Sequence, residues 1–241
     1  MFTGLVRDIG TLAAITPAGG TLRLDITAPA TAQRVAVGDS VAVDGICLTV
    51  TRTGARSFSV EAVGETRRLT TLGAWRRGRR LHLEPALRVG DPLDGHLMQG
   101  HVDGVGEVTA VRRSGGGLAV TIGAAAEQRR FLTPKGSVGV DGVSLTVDEG
   151  PFTTGFTVNL IPHTLAATHF DRLRPGDRVN LEMDVLVKAV RTGDMGLLPH
   201  LVRDGGARND DQAAAPGGGL TMERLMARGA WRRSGRGGPK G

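Results

Sequence analysis

The single thiol of the chain, Cys47, lies in the run Ser40-Val41-Ala42-Val43-Asp44-Gly45-Ile46-Cys47-Leu48-Thr49-Val50. The run returns as Ser137-Val138-Gly139-Val140-Asp141-Gly142-Val143-Ser144-Leu145-Thr146-Val147, identical at eight of eleven positions, with Ser144 in the place of Cys47. A thiol is more acidic and more nucleophilic than a hydroxyl, so the pair could do unequal chemistry at equivalent places. Cys47 also reads as a small buried hydrophobe in an apolar strand. His101 could move protons near neutral pH. His96 stands five residues before it, and two such histidines raise the question of a metal. No further His/Cys ligand cluster joins them, and no metal is expected. Ser40 and Asp184 have plain readings: a hairpin residue for Ser40, and for Asp184 the N-cap of a helix beginning Val185-Leu186-Val187-Lys188.

These residues must be held by a repeated scaffold. Gly4-Leu5-Val6, followed by Gly10, matches Gly100-His101-Val102, followed by Gly106. The stretch from Val60 through Thr66 and Thr70 to Glu84 matches Val158 through Thr164 and Thr168 to Glu182. The offset grows from 96 to 98 along the chain, as single-residue length changes in loops would produce. A period this long is a duplicated domain rather than a solenoid repeat. Each copy reads as mostly strand. Apolar and polar residues alternate in Thr21–Ile26, Val41–Val43, Leu48–Val50, Phe58–Val60 and Leu81–Leu83, and again in Leu118–Ile122, Phe156–Leu160 and Val179–Met183. Pro17-Ala18-Gly19-Gly20, Val37-Gly38-Asp39 and Arg174-Pro175-Gly176-Asp177 supply turns, and both Asp-Gly pairs suit tight hairpins. Short strands in so small a unit favour a closed barrel, which removes exposed edges. The expected units are 1–93 and 94–189, with short helices near Thr31–Val35 and Ala124–Leu132.

Composition narrows the class. Of 241 residues, 40% are hydrophobic and 22% charged, as in an ordinary globular protein. Aromatics are 3% with no tyrosine, so a core must come from Val, Leu, Ile and Ala. No run of about 18 apolar residues is present, so no membrane span is expected. The start lacks the basic and apolar regions of a signal peptide, and one cysteine forms no internal disulfide; a cytoplasmic protein is expected. The net charge of +6 suggests nucleic acid at first. Residues 200–241, however, carry eight basic and four acidic residues, so most of the excess lies in the tail. The chain also lacks exposed stacking aromatics, and no nucleic-acid partner is expected. Beyond Val190 the pattern dissolves. Arg191-Thr192-Gly193-Asp194-Met195-Gly196 is expected to interrupt the last helix after about six residues. Residues 203–219 read as disordered, and Leu220–Met226 as a helix too short to persist alone.

The motifs resemble the riboflavin synthase family. The resemblance rests on Met1-Phe2-Thr3-Gly4-Leu5-Val6, on Asp44–Val50, and on Gly95-His96-Leu97-Met98-Gln99-Gly100-His101-Val102-Asp103-Gly104. Lys135-Gly136, Ser144–Val147, Ile161-Pro162-His163-Thr164 and Asn180-Leu181-Glu182-Met183-Asp184 follow in the family's order, so the likeness covers about residues 1–190. It implies an all-β fold of two tandem six-stranded Greek-key barrels with a short C-terminal helix that assembles a homotrimer. It implies a transferase without cofactor, in which two 6,7-dimethyl-8-ribityllumazine molecules exchange a four-carbon unit to give riboflavin and 5-amino-6-ribitylamino-pyrimidinedione. The electron-poor heterocycle has an acidic 7-methyl group, so the protein need only orient the two molecules, donate hydrogen bonds and move protons. The alternative is a lumazine or flavin carrier of the same fold without catalysis.

Carried over residue by residue, the resemblance gives the first barrel a pocket of Gly4, Leu5, Val6, Cys47, Leu48, Thr49, Glu61, Ala62, Val63, Gly64, Glu65 and Thr66. It gives the second Gly100, His101, Val102, Lys135, Ser144, Leu145, Thr146, Leu160, Ile161, Pro162, His163, Thr164 and Leu165. The catalytic candidates are Cys47, His101, Ser40, Ser144 and Asp184. Lys135 is expected at a polar ring edge or a ribityl hydroxyl.

Overall fold

The structure is a computed structural model, and it describes residues 1–148 and 153–192. The first half contains β1 (Asp8–Ala18), β2 (Thr21–Thr27), α1 (Pro29–Ala32), β3 (Ser40–Val43), β4 (Ile46–Thr53), β5 (Ser57–Ala62), α2 (Gly64–Leu69) and β6 (Arg80–Pro85). The strands close into a barrel in the order β1-β2-β5-β4-β3-β6. The second half repeats this with β7 (Gly104–Ser114), β8 (Gly117–Gly123), α3 (Ala126–Arg129), β9 (Ser137–Val140), β10 (Val143–Thr146), β11 (Gly155–Leu160), α4 (Pro162–Ala167) and β12 (Arg178–Met183). Its sheet runs β10-β9-β12-β7-β8-β11, and an antiparallel bridge between Val147 and Val158 joins the two ends. The final helix is α5 (Val185–Thr192). Among the described residues no helix is long and apolar enough to cross a membrane.

Each interior is filled by the alternate residues of its own strands. Leu24, Ile26, Val41, Val43, Phe58, Val60, Leu81 and Leu83 form one core. Val120, Ile122, Val138, Val140, Phe156, Val158, Val179 and Leu181 form the other. Complete burial of such a side chain contributes about 1.5–3 kcal/mol. Hairpins β3–β4 and β9–β10 turn at Asp44-Gly45 and Asp141-Gly142, with φ of 44° and 80° in one and 42° and 79° in the other. These are the left-handed angles that a two-residue turn between twisted strands requires. The two turns also press on each other: a methyl group on Gly45 would lie 2.7 Å from the Gly142 nitrogen.

Several details differ from the sequence reading. The two longest strands, β1 and β7, are not marked by alternation. Both contain a bulge, between Leu12 and Ala14 in β1 and between Val108 and Ala110 in β7, which flips the pattern midway. Helices α1 and α3 are one turn each and begin or end inside the expected ranges. Helix α5 continues through Arg191 and Thr192, two residues assigned above to its interruption. The expectations for Gly193–Gly196 and for 203–241 lie outside the described residues.

Candidate functional site

Side chains on β4 and β10 alternate between core and rim. Leu48 and Leu145 point inward and are buried, whereas Cys47, Thr49, Ser144 and Thr146 face outward. Leu48, Leu145, Ala62 and Leu160 therefore turn their side chains into the cores and leave only their backbone at the rim. Over each rim lies an irregular strap, residues 1–6 for one and 97–102 for the other. The straps pair where Phe2 N–H donates to Met98 O at 2.8 Å and Met98 N–H returns to Phe2 O at 3.1 Å.

The straps exchange barrels. The Cys47 N–H donates to the Gly100 carbonyl at 2.9 Å, and the Ser144 N–H donates to the Gly4 carbonyl at 2.8 Å. Val102 packs on the core of the first barrel and Val6 on that of the second. This corrects the grouping expected from the sequence: Gly4–Val6 belongs with Ser144, and Gly100–Val102 with Cys47. The repeat identifies equivalent segments but not which copy each one touches. Gly4 and Gly100 have φ of 75° and 77°. A methyl group would lie 2.6 Å from the Ser144 nitrogen at Gly4 and 2.8 Å from the Cys47 nitrogen at Gly100, so neither position admits one.

The first rim site is a cavity of about 220 Å³ lined by Ile46, Cys47, Glu65, Thr66, Leu69, Thr70, Gly100, His101 and Val102. Its outer wall is α2, which follows the strand-to-helix corner Glu61–Gly64. The matching corner in the second barrel, Leu160–Pro162, leads into α4, so His163, Thr164 and Leu165 are helical. Neither helix has a side-chain cap, and the residues at their starts, Val63 and Ile161, are 56% and 60% exposed. Both helices escape sequence reading for that reason. Both corners present an uncovered apolar side chain beside the rim.

At the second rim the Ser144 hydroxyl lies 2.7 Å from His96 Nδ1. Burial pushes the His96 pKa down, against the pull of the Asp184 charge. A neutral imidazole beside a hydroxyl can take its proton, which makes a base-assisted nucleophile or a proton relay. His96 Nε2 is buried and has no hydrogen-bond partner among the described residues. The sequence reading weighed His96 only as a metal ligand. His96 and His101 instead serve different barrels. Among the described residues no comparable base is hydrogen-bonded to Cys47.

Lys135 has φ of 61° and pairs with Asp148, whose other oxygen accepts from Asn159 Nδ2 at 2.7 Å. Asp184 caps α5 by accepting from the Leu186 N–H at 2.8 Å. Ser40 is opposite Thr49 on the neighbouring strand and lines a different cavity, of about 170 Å³, with Arg34 and Arg88.

Asp44, His82 and His169 also converge where the barrels meet, with one ligand atom from each within 4.8 Å of the others. Their hydrogen bonding accounts for the closeness. His82 Nδ1 lies 2.9 Å from the Asp141 carbonyl, and its Nε2 accepts from the His169 N–H at 3.1 Å. The two rings stack 3.8 Å apart. With both nitrogens engaged, His82 has no lone pair left for a metal.

Comparison with known proteins bears on the family and the fold. The family described as lumazine binding domain matches residues 3–86 and 99–184. The riboflavin synthase of Brucella abortus (strain 2308) is 39% identical over 193 residues, covering 78% of this chain and 95% of that protein. The riboflavin synthase of Bacillus subtilis (strain 168) is 36% identical over 188 residues, covering 78% of this chain and 87% of its own length. Among solved structures, LumP complexed with riboflavin superposes with a TM-score of 0.70 at 24% identity, covering 76% of this chain and 99% of that one. LumP complexed with 6,7-dimethyl-8-(1'-D-ribityl) lumazine gives 0.68 at 23% identity. At that identity the likeness is one of fold.

Proposed function

The chain belongs to the riboflavin synthase family of lumazine-binding proteins, and we propose that it converts two 6,7-dimethyl-8-ribityllumazine molecules into riboflavin and 5-amino-6-ribitylamino-pyrimidinedione. The observation that carries this reading is a pair of related rim sites with unequal groups: Cys47 under Gly100–Val102 on one, and Ser144 with His96 under Gly4–Val6 on the other. A four-carbon transfer between two identical molecules needs one donor and one acceptor. Unequal surroundings assign those roles. Holding both rings in register replaces a bimolecular encounter, worth up to about 7–11 kcal/mol. In this reading His96, through Ser144, moves the proton of an acidic ring methyl. Cys47 meets the second molecule, His101 borders its pocket, and Lys135 binds a ring edge or a ribityl hydroxyl.

We extend the reading to a cytoplasmic homotrimer in which the first barrel of one subunit faces the second barrel of another, with residues 1–93 and 94–189 each holding one substrate. Helix α5 supports an assembled state: none of its residues is buried, and Leu186 and Val190 are 56% and 50% exposed. The test of the reaction is to incubate the purified protein with 6,7-dimethyl-8-ribityllumazine alone. Riboflavin fluorescence and pyrimidinedione should appear in equal amounts, with or without a chelator. Stoichiometric lumazine binding with no riboflavin over hours would establish a carrier instead. Sedimentation at micromolar concentration tests the trimer.

A further inference from the structure

We propose that Glu84 and Glu182 are positioning residues that act across the barrels: each stands on the last strand of one barrel and holds the strap that serves the substrate site of the other. The inference rests on the rim sites proposed above and adds the groups that fix their geometry.

Both carboxylates are buried, 5% and 3% exposed, and among the described residues neither forms an ion pair. A buried carboxylate without a cation is costly unless it is well hydrogen-bonded. Here the partners are consecutive peptide groups of the straps. Glu84 accepts from the Thr3 N–H at 2.7 Å and the Gly4 N–H at 2.9 Å, one on each oxygen. Glu182 accepts from the Gln99 N–H at 2.6 Å and the Gly100 N–H at 3.0 Å in the same way. The second glycine of each pair is the residue whose carbonyl receives the rim N–H of the other barrel. Gly4 is thus gripped by Glu84 from the first barrel and by Ser144 from the second. Gly100 is gripped by Glu182 from the second barrel and by Cys47 from the first.

A two-point hold of this kind fixes both the position and the plane of a peptide, and hydrogen bonds to a charged acceptor are the stronger ones. The holds differ in one bond. The Thr3 hydroxyl adds a third donor to Glu84 at 2.7 Å, where the other strap has Gln99. The strap over Cys47 is therefore the more weakly anchored. Burial raises the pKa of both carboxylates, against their hydrogen bonds and the nearby charges, Arg7 for Glu84 and Lys188 for Glu182.

Cys47 is the only thiol, so its alkylation reports on one rim alone. The experiment measures how much 6,7-dimethyl-8-ribityllumazine protects Cys47 from iodoacetamide in the full-length protein. Glu182→Gln replaces one acceptor by a donor facing a peptide N–H. It should raise the half-protecting concentration about tenfold, the size of one lost charge-assisted bond. Glu84→Gln, which lies on the same barrel as Cys47, should change it by less than about twofold while raising KM for riboflavin formation. A role confined to local stability would give the opposite order or equal effects, and either result overturns the proposal. Glu182→Asp and Glu84→Asp keep the charge but shorten the reach, and should show the same order if a glutamine variant fails to fold. Initial protection reports binding whether or not turnover follows, so a wild type that binds lumazine and makes no riboflavin would overturn the reaction and leave this test standing.

Discussion

Phe58 and Phe156 occupy the same place in the two barrels, as do Leu24 and Val120, Val60 and Val158, and Leu83 and Leu181. The interiors are nearly interchangeable. The rims and the surfaces where the barrels meet are not. Cys47 stands where the second barrel has Ser144, and among the described residues only Ser144 has an imidazole hydrogen-bonded to it. At the junction His82 corresponds to Asn180, and Thr71 to His169. Asp44 lies 3.0 Å from Arg79 Nη2, while among the described residues its counterpart Asp141 forms no ion pair. Burial raises the Asp44 carboxyl, but His169, His82 and Arg79 outweigh it and hold the pKa below the usual range. Burial and then the charge of Asp44 hold Asp141 well above it. The junction thus biases one carboxylate toward its ionised form and its twin toward the protonated form. Duplication supplied two barrels that fold on the same packing, and divergence at a few polar positions made them chemically distinct.

The largest expected effect comes from filling the strap contacts. Gly4→Ala and Gly100→Ala each place a methyl group against backbone atoms of the opposite barrel at a left-handed φ. The conformational cost is about 1–2 kcal/mol and overpacking adds about 1–3 kcal/mol. Riboflavin formation should fall at least about a hundredfold in both. Lumazine titration should show the second-barrel site lost in Gly4→Ala and the first-barrel site lost in Gly100→Ala. Loss of the same site in both variants would refute the exchange of straps.

The junction offers a second break, in stability. Burial, together with the charge of His169, lowers the His82 pKa to about 4, although Asp44 pulls the other way. A histidine that unfolds to a pKa near 6.5 takes up protons first in the unfolded state, so its contribution is lost as pH falls from about 6.5 to about 4. His82→Asn copies the second barrel, where Asn180 donates to the Asp44 carbonyl at 2.8 Å and accepts from the Thr71 N–H at 2.8 Å. Relative to wild type, the variant should gain up to roughly 3 kcal/mol of unfolding free energy across that window. Taking the difference cancels the opposing contributions of Asp141, Glu84 and Glu182. A difference that stays flat between pH 7 and pH 4 would show that His82 titrates normally.

Which parts of this were legible beforehand follows from what a sequence encodes. The barrels were, because their cores are written as alternation in strands such as Phe58–Val60 and Phe156–Leu160. The long strands β1 and β7 were not, since bulges shift the alternation and the inward positions Gly10 and Gly106 carry no side chain. A methyl group on Gly10 would lie 2.6 Å from Leu83 Cδ1, so the core there is already full. The proposed site residues could be named as a set only through the family's motifs. Their partners could not, because a repeat names equivalent segments and leaves open which barrel each strap crosses. His96 shows the same limit. Its type and spacing raised only the question of a metal, and its 2.7 Å approach to Ser144 is what gives it a role.

Chemical asymmetry at the rims predicts a smaller change. Cys47→Ser makes the two positions alike, and turnover should fall at least about tenfold, or about 1.4 kcal/mol on the barrier. Ligand affinity should change less, since the swap is nearly isosteric. His96→Gln keeps a hydrogen-bonding group beside Ser144 but removes the base. It should lower kcat more than it raises KM, and flatten the acid side of the pH profile. Wild-type turnover in Cys47→Ser would return the thiol to a packing role.

The smallest expected effect concerns Lys135. It stands at φ 61°, where the first barrel has Gly38 at φ 96°. A residue with a Cβ in this region costs about 1–2 kcal/mol that glycine avoids. Its ion pair with Asp148 is solvent-exposed and offsets little of that. Glycine, in turn, loses more backbone entropy on folding, by about 0.5–1 kcal/mol. These terms nearly cancel, so Lys135→Gly should leave the unfolding free energy within about 1 kcal/mol of wild type. If the lysine binds substrate, KM should rise severalfold in the same variant, because no other cation borders Asp148 and Asn159 among the described ion pairs. The reciprocal change, Gly38→Lys, puts a side chain where a Cβ meets nothing within 4 Å. The same two terms oppose each other there, so it should leave the unfolding free energy within about 1 kcal/mol of wild type and KM untouched. Equal effects of the two changes on KM would mean that Lys135 acts through its charge at long range rather than at the second rim.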